Sequence, residues 1–158
     1  MSEEASEGHL GLAALAEWST WLPYEAAVDE APRLPGVYLF RVTDTGQIVY
    51  VGMAGERAGS GHPEGLRGRL SVYRSGKGAV SGFGEAALDR ALADPVWVER
   101  QLATLNTVGP RRAKLWAADA IRRVSPEVCW SVCFDGPAAR TLEKNVEEIL
   151  AGRGLWNR

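Results

Sequence analysis

Tyr38, Tyr50, Arg69 and Glu143 are the residues of this 158-residue chain whose types and settings suit phosphoryl chemistry. Tyr38 and Tyr50 lie on two apolar runs, Gly36–Val42 and Gln47–Met53, separated by Thr43-Asp44-Thr45-Gly46. Two such runs around a turn ending in glycine predict a hairpin. With a three-residue loop from Asp44 to Gly46, closed by Thr43 opposite Gln47, Phe40 faces Tyr50, and Tyr38 lies diagonally across from Tyr50 on the same face. A two-residue loop shifts that register and separates the phenols. Arg69 belongs to a helix from about Glu64 to Arg74, in which Leu66, Leu70 and Tyr73 form one stripe. It borders the stripe one turn before Tyr73, with Arg67 and Arg74 further out. A guanidinium held half-covered there can grip a phosphate with two hydrogen bonds. Glu143 edges the stripe Leu142, Val146, Ile149 and Leu150 of the last helix, with Glu147 further out and Glu148 on the opposite face. A carboxylate at the border of a buried face needs a partner. Arg69 is one choice. A hard cation is the other, since Mg2+ is often held by one or two carboxylates together with water and substrate phosphate. Plainer readings stand beside these: ordinary strand tyrosines in a half-buried sheet, and an arginine whose stem lies along an apolar helix face.

The elements that must position these residues follow from the pattern along the chain. Residues 1–8 read as disordered and 9–20 as a short helix with Leu10, Leu12, Leu15 and Trp18 among its apolar positions. Pro32 and Pro35 bracket an extended lead-in. After the hairpin comes a loop carrying Gly52, Gly55, Gly59, Gly61 and Gly65, without the Gly-Lys-Ser/Thr ending of a nucleotide-binding P-loop. Ser75-Gly76-Lys77-Gly78 ends the helix that follows. Residues from about 84 to 124 read as a helical insert in three pieces, Gly84–Ala93, Val96–Asn106 and Pro110–Val124. Glu127–Phe134 reads as a third strand and Ala138–Ala151 as the last helix. Hairpin, helix, helical insert, strand, helix is the order of an α+β domain with a small, three-stranded, mainly antiparallel sheet flanked by helices.

Composition bounds the rest. A hydrophobic share of 46% and a charged share of 24% are those of a globular protein of one domain. No run is long enough to span a membrane, and the acidic start is unlike a secretory signal, which leads us to expect a cytoplasmic protein. The net charge of −2 averages two unlike parts. Residues 1–30 hold seven acids and no Lys or Arg, an acidic leader. Residues 31–158, read as the domain proper, carry 18 basic against 13 acidic residues, a net of +5. Such a body is compatible with a phosphate-backbone partner without demanding one. Cys129 and Cys133 lie four apart on one strand and are expected to be small buried apolar residues rather than zinc ligands.

Gly36-Val37-Tyr38, Tyr50-Val51-Gly52, Leu66-Arg67-Gly68-Arg69-Leu70 with Tyr73, Leu142-Glu143 and Trp156-Asn157, in that order, resemble the motifs of the GIY-YIG nucleases. These include the N-terminal nuclease of the excinuclease C subunit, several homing endonucleases and some restriction enzymes. The resemblance runs from about Pro35 to Asn157. It implies a metal-dependent endonuclease that hydrolyses DNA phosphodiester bonds at a single centre. In such enzymes the residue matching Tyr38 is the general base toward water, and the residue matching Tyr50 positions water or phosphate. Arg69 would stabilise charge on the phosphate. Glu143 would hold one Mg2+ or Mn2+. Tyr73 matches a secondary position that is Tyr or His in relatives, and Asn157 an asparagine that supports the site by hydrogen bonding. Free tyrosine has a pKa of about 10, so a phenolic base at neutral pH needs nearby positive charge.

The chain also departs from that pattern. Met53 stands where many relatives carry Lys, with Lys77 or His62 as possible replacements. The glycine loop and the insert are additional. In the insert Arg111, Arg112, Lys114, Arg122 and Arg123 could face DNA or could be a solvated helix face, and Trp97 and Trp116 are expected in the core. Two further expectations compete with the plain endonuclease: a nucleic-acid-binding module that keeps the fold without turnover, and a restriction-like enzyme whose recognition lies in the insert or in a partner protein, either a recognition subunit or an ATPase.

Overall fold

The computed structural model describes residues 3–56, 63–80 and 82–157. The elements in chain order are α1 (Glu3–Leu15), β1 (Leu22–Pro23), α2 (Tyr24–Glu30), β2 (Gly36–Val42), β3 (Ile48–Ala54), α3 (Gly65–Arg74), α4 (Gly82–Leu92), α5 (Pro95–Val108), α6 (Ala113–Val124), β4 (Pro126–Val132) and α7 (Gly136–Leu150). The architecture is α+β, and its sheet is antiparallel with order β1-β4-β2-β3. The sheet has four strands rather than the expected three. The extra one is the two-residue β1, which pairs Leu22 with Val128 and Pro23 with Glu127. Two residues are too short a run to leave a periodic signal, so only pairing with β4 reveals the strand.

The side chains of β2 alternate between the two faces of the sheet, as strand geometry requires. Tyr38 and Phe40 enter a cluster closed by α2, α3, α4 and α6, where Tyr24, Ala27, Leu66, Leu70, Tyr73, Phe83 and Ile121 are buried. Val37 and Leu39 enter a second cluster with Leu12 of α1 and Val146 and Leu150 of α7. The acidic first thirty residues therefore join the core: Tyr24, Ala27 and Val28 of α2 are buried, and Tyr24 donates its hydroxyl to the Leu70 carbonyl at 3.1 Å. The stretch expected to be disordered up to residue 8 is helical from Glu3 onward, and Leu12 anchors that helix on the sheet. Met1 and Ser2 lie outside the described residues, as do residues 57–62 of the glycine loop and with them His62.

The hairpin keeps the expected facing pair by a different route. Val42 donates to the Gln47 carbonyl at 3.0 Å and Gly46 donates to Val42 at 2.8 Å, so the loop runs from Thr43 to Gly46, one residue longer than expected. Gly46 sits at φ +69, the left-handed conformation that favours glycine. Arg41 pairs with Ile48 but Phe40 with Tyr50, leaving Val49 as a bulge. The bulge undoes the one-residue slip of the loop and keeps Phe40 opposite Tyr50 and Tyr38 opposite Gly52.

No described helix is long and apolar enough to cross a membrane.

Candidate functional site

The site is built around three phenols. Tyr38 rises from the middle of β2, Tyr50 from β3 and Tyr73 from the last turn of α3. Tyr38 and Tyr73 share a hydrogen bond of 2.7 Å between their hydroxyls, and each is only 2% exposed. Tyr50 is half-buried and stacks against Tyr38 with ring centroids 6.5 Å apart. Phe40 braces the group from below, edge-on to Tyr38 at 5.8 Å and to Tyr73 at 6.0 Å, and is itself stacked on Phe83 at 3.9 Å. Two glycines make room. A Cβ on Gly52 would overlap the Tyr38 ring and hydroxyl, and one on Gly82 would overlap the Tyr73 hydroxyl. Gly82 also holds φ +58, which an L side chain adopts only with strain.

Burial governs the acidity of these phenols. It holds Tyr38 well above the ordinary phenol value, reinforced by Tyr73 and Tyr50 and only partly opposed by Arg69. Tyr50 is raised for the same first reason, then by Tyr73 and by the negative charge of Glu143, again with Arg69 in opposition. A neutral phenol is therefore the resting form of both. Glu143 and Arg69 thus lie within electrostatic reach of Tyr50.

Glu143 projects from α7 and is half-buried, with no hydrogen bond or ion pair among the described residues. Its carboxyl is raised, first by burial and then by Glu147, while Arg140 and Arg69 pull it down. The Arg69 ion pair considered from sequence does not form. A half-buried, unpaired carboxylate is a donor of the kind a hard cation takes. No group of three or more His, Cys, Asp or Glu residues that could hold a metal occurs among the described residues, so protein ligation would rest on Glu143 with Glu147 beside it.

Arg69 is exposed, not half-covered as expected, and makes no hydrogen bond or ion pair among the described residues. Its neighbours are the ones tied down. Arg67 donates to Ala31 O at 2.8 Å and to Asp29 O at 2.7 Å, and Arg74 pairs with Asp29 at 3.2 Å. The reason is α2, which packs along α3 and consumes the two arginines on that side. A helical wheel of α3 alone could not anticipate it.

Asn157 fixes the open edge of β3. Its amide accepts from Val51 N at 3.0 Å and donates to Val51 O at 2.8 Å, so one side chain serves both groups that Val51 turns to the edge away from β2. The preceding Trp156 N–H donates to Val49 O at 2.6 Å. Asn157 also donates to Glu147 at 3.3 Å, one helical turn beyond Glu143. Arg140 is a site residue that the sequence did not single out, and Glu147, expected further out than Glu143, stands beside it. Both are one turn of α7 away from Glu143, and that spacing was the signal available.

Among the basic residues of the insert, Arg111 and Arg122 both pair with Asp119, and Arg123 pairs with Asp94 at 2.7 Å. Arg112 and Lys114 are exposed. Trp97 is buried and meets the half-buried Trp116 at 5.8 Å. Cys129 is buried and Cys133 partly so, both as free thiols, with burial pushing both upward in pKa. Lys77 is exposed.

No family model matches the chain, and neither does any curated protein or solved structure.

Proposed function

We propose that this chain is a metal-dependent endonuclease of the GIY-YIG type, hydrolysing DNA phosphodiester bonds at the cluster of Tyr38, Tyr50, Tyr73, Arg69 and Glu143. One observation supports this above the others. Arg69 and the half-buried Glu143, neither paired among the described residues, both act on the phenol of Tyr50, although they come from helices far apart in the chain. A purely structural cluster would be expected to neutralise Arg69 against Glu143.

In this reading Arg69 binds the scissile phosphate and stabilises the charge that builds on it. Glu143, with Glu147 beside it, would hold Mg2+ or Mn2+. A divalent cation so bound supplies positive charge to the phosphate and the leaving oxygen. Tyr50, the least buried of the three phenols, touches the attacking water. Tyr73 joins it to Tyr38 and keeps the hydroxyls aligned. The resemblance gives the role of base to Tyr38. Its burial means that a phenolate forms there only once positive charge is gathered at the site, which Arg69 begins to supply. Asn157 holds β3, and so Tyr50, in place.

The same burial of Tyr38 favours one second reading, a nucleic-acid-binding module with little or no turnover. Mixed plasmid, single-stranded and branched DNA, incubated with Mg2+ or Mn2+, separates the two. The endonuclease predicts metal-dependent cutting that is lost in Glu143→Ala and in Arg69→Ala. Binding by wild type and by Glu143→Ala alike, with no cutting of any substrate, would favour the module. A restriction-like or repair role, and any recognition or ATPase partner, belongs to the same proposal and is tested by which of these DNAs is cut.

A further inference from the structure

We infer that Arg140, beside the Arg69 that takes the scissile phosphate, forms a subsite for the backbone phosphate next to it, so that the site is built for a polynucleotide strand rather than for an isolated phosphodiester. The inference rests on the endonuclease reading. Met53, Gly55, Arg69, Gly136, Pro137, Arg140 and Thr141 line one open cavity of about 600 Å³. Arg69 and Arg140 reach it from different helices, α3 and α7. Both are exposed, and neither makes a hydrogen bond or an ion pair among the described residues. Other arginines near the site are engaged: Arg67 on two carbonyls, Arg74 on Asp29 and Arg33 on Glu64. Two unengaged guanidiniums in one concavity repel each other, and an anion relieves that repulsion. A guanidinium's planar fork suits phosphate oxygens better than a point charge does. The hydroxyl of Thr141 adds a polar group on the same wall.

Arg140 lies one turn before Glu143 on α7, so the two side chains share a face of the helix. Side chains so spaced start about 5–6 Å apart at Cβ, which leaves Arg140 within reach of a phosphate adjoining one bound at Glu143. Met53, on the same wall, is neutral. Arg140 thus places a cation in the cavity that Met53 does not supply.

The test compares two substrates. An oligonucleotide has flanking phosphates, and bis(p-nitrophenyl) phosphate has a single diester. Arg140→Ala is expected to lower kcat/KM on the oligonucleotide at least ten-fold further than on the small diester, with Arg140→Lys recovering part of the difference. Arg69→Ala is expected to lower both substrates alike. Equal losses on the two substrates in Arg140→Ala would overturn the subsite and leave the nuclease standing. If wild type cuts neither substrate, the endonuclease reading fails, and oligonucleotide binding decides the subsite by itself. A log Kd against log salt slope shallower by about 0.7 in Arg140→Ala, the loss of one single-strand phosphate contact, supports it. An unchanged slope, or no binding by wild type, overturns it.

Discussion

At the scale of single residues, the site spends stability on charge. Glu143 has a carboxyl pKa raised by burial and by Glu147. A group whose folded-state pKa lies above its unfolded value contributes stability below the unfolded pKa and loses it as the pH rises through the folded one. Glu143→Gln should therefore raise the melting temperature at pH 8 and leave it nearly unchanged at pH 4, while abolishing cleavage. A variant less stable at pH 8 would mean that the carboxylate has a stabilising partner after all. The phenols follow the same sign in the alkaline range. Tyr24, Tyr38 and Tyr50 are all raised by burial. Their contribution is complete below about pH 10, the ordinary phenol value, and declines above it. Denaturant midpoints measured from pH 8 to 11 should fall above that value, and the fall should be smaller in Tyr38→Phe. Gly52 belongs to this scale too. Gly52→Ala would push the Tyr38 ring out of a fully packed position, so it should lower both stability and cleavage although it touches no substrate.

Two of the elements that carry the site, α7 and β3, are fixed at a helix end and a strand edge, and these are the places to perturb. The N-cap of α7 is Asp135, which accepts from Ala138 N at 2.8 Å. Removing that cap in Asp135→Ala should cost about 1 kcal/mol of folding free energy by chemical denaturation. It should also loosen the helix that carries Arg140, Glu143 and Glu147. Asn157→Ala strips both hydrogen-bonding groups of Val51 of their partner, and a loss of about 1 kcal/mol is expected. A larger fall in activity than in stability would place the effect at Tyr50. Much of this scale was legible in the sequence. The hairpin, the α3 stripe with Tyr73 and the edge position of Glu143 all follow from periodicity, because each reflects burial of one face. The exposure of Arg69 was not legible, since it depends on α2 taking the other arginines of α3. Nor was the Thr43–Gly46 loop with its compensating Val49 bulge, because two small irregularities that cancel leave the facing pairs of the hairpin as an ideal loop would. The strand β1 and the early start of α1 were missed for a related reason. Their sequences carry almost no pattern, and contacts with β4, α7 and the sheet hold them in place.

The whole molecule is one sheet between two apolar clusters, and the candidate site opens from the more aromatic of them. Phe40, fully buried, links Tyr24, Tyr38, Tyr73 and Phe83 in a continuous packing of rings. Phe40→Ala should cost about 3–5 kcal/mol. The net charge of −2 hides an uneven engagement of the basic groups. Much of the basic charge on the insert is held against Asp94 and Asp119, whereas Arg69 and Arg140, around one cavity, have no ion pair among the described residues. Binding to a nucleic acid should therefore depend on those two arginines more than on Arg122 or Arg123. The central claim, that this cluster cuts DNA, is met most directly by following supercoiled plasmid with wild-type protein and with Glu143→Gln, both shown by circular dichroism to be folded, in Mg2+ and in EDTA. The account predicts open-circle product from wild type in Mg2+ alone and none from the variant. Equal nicking by the variant, or nicking by wild type in EDTA, would contradict it.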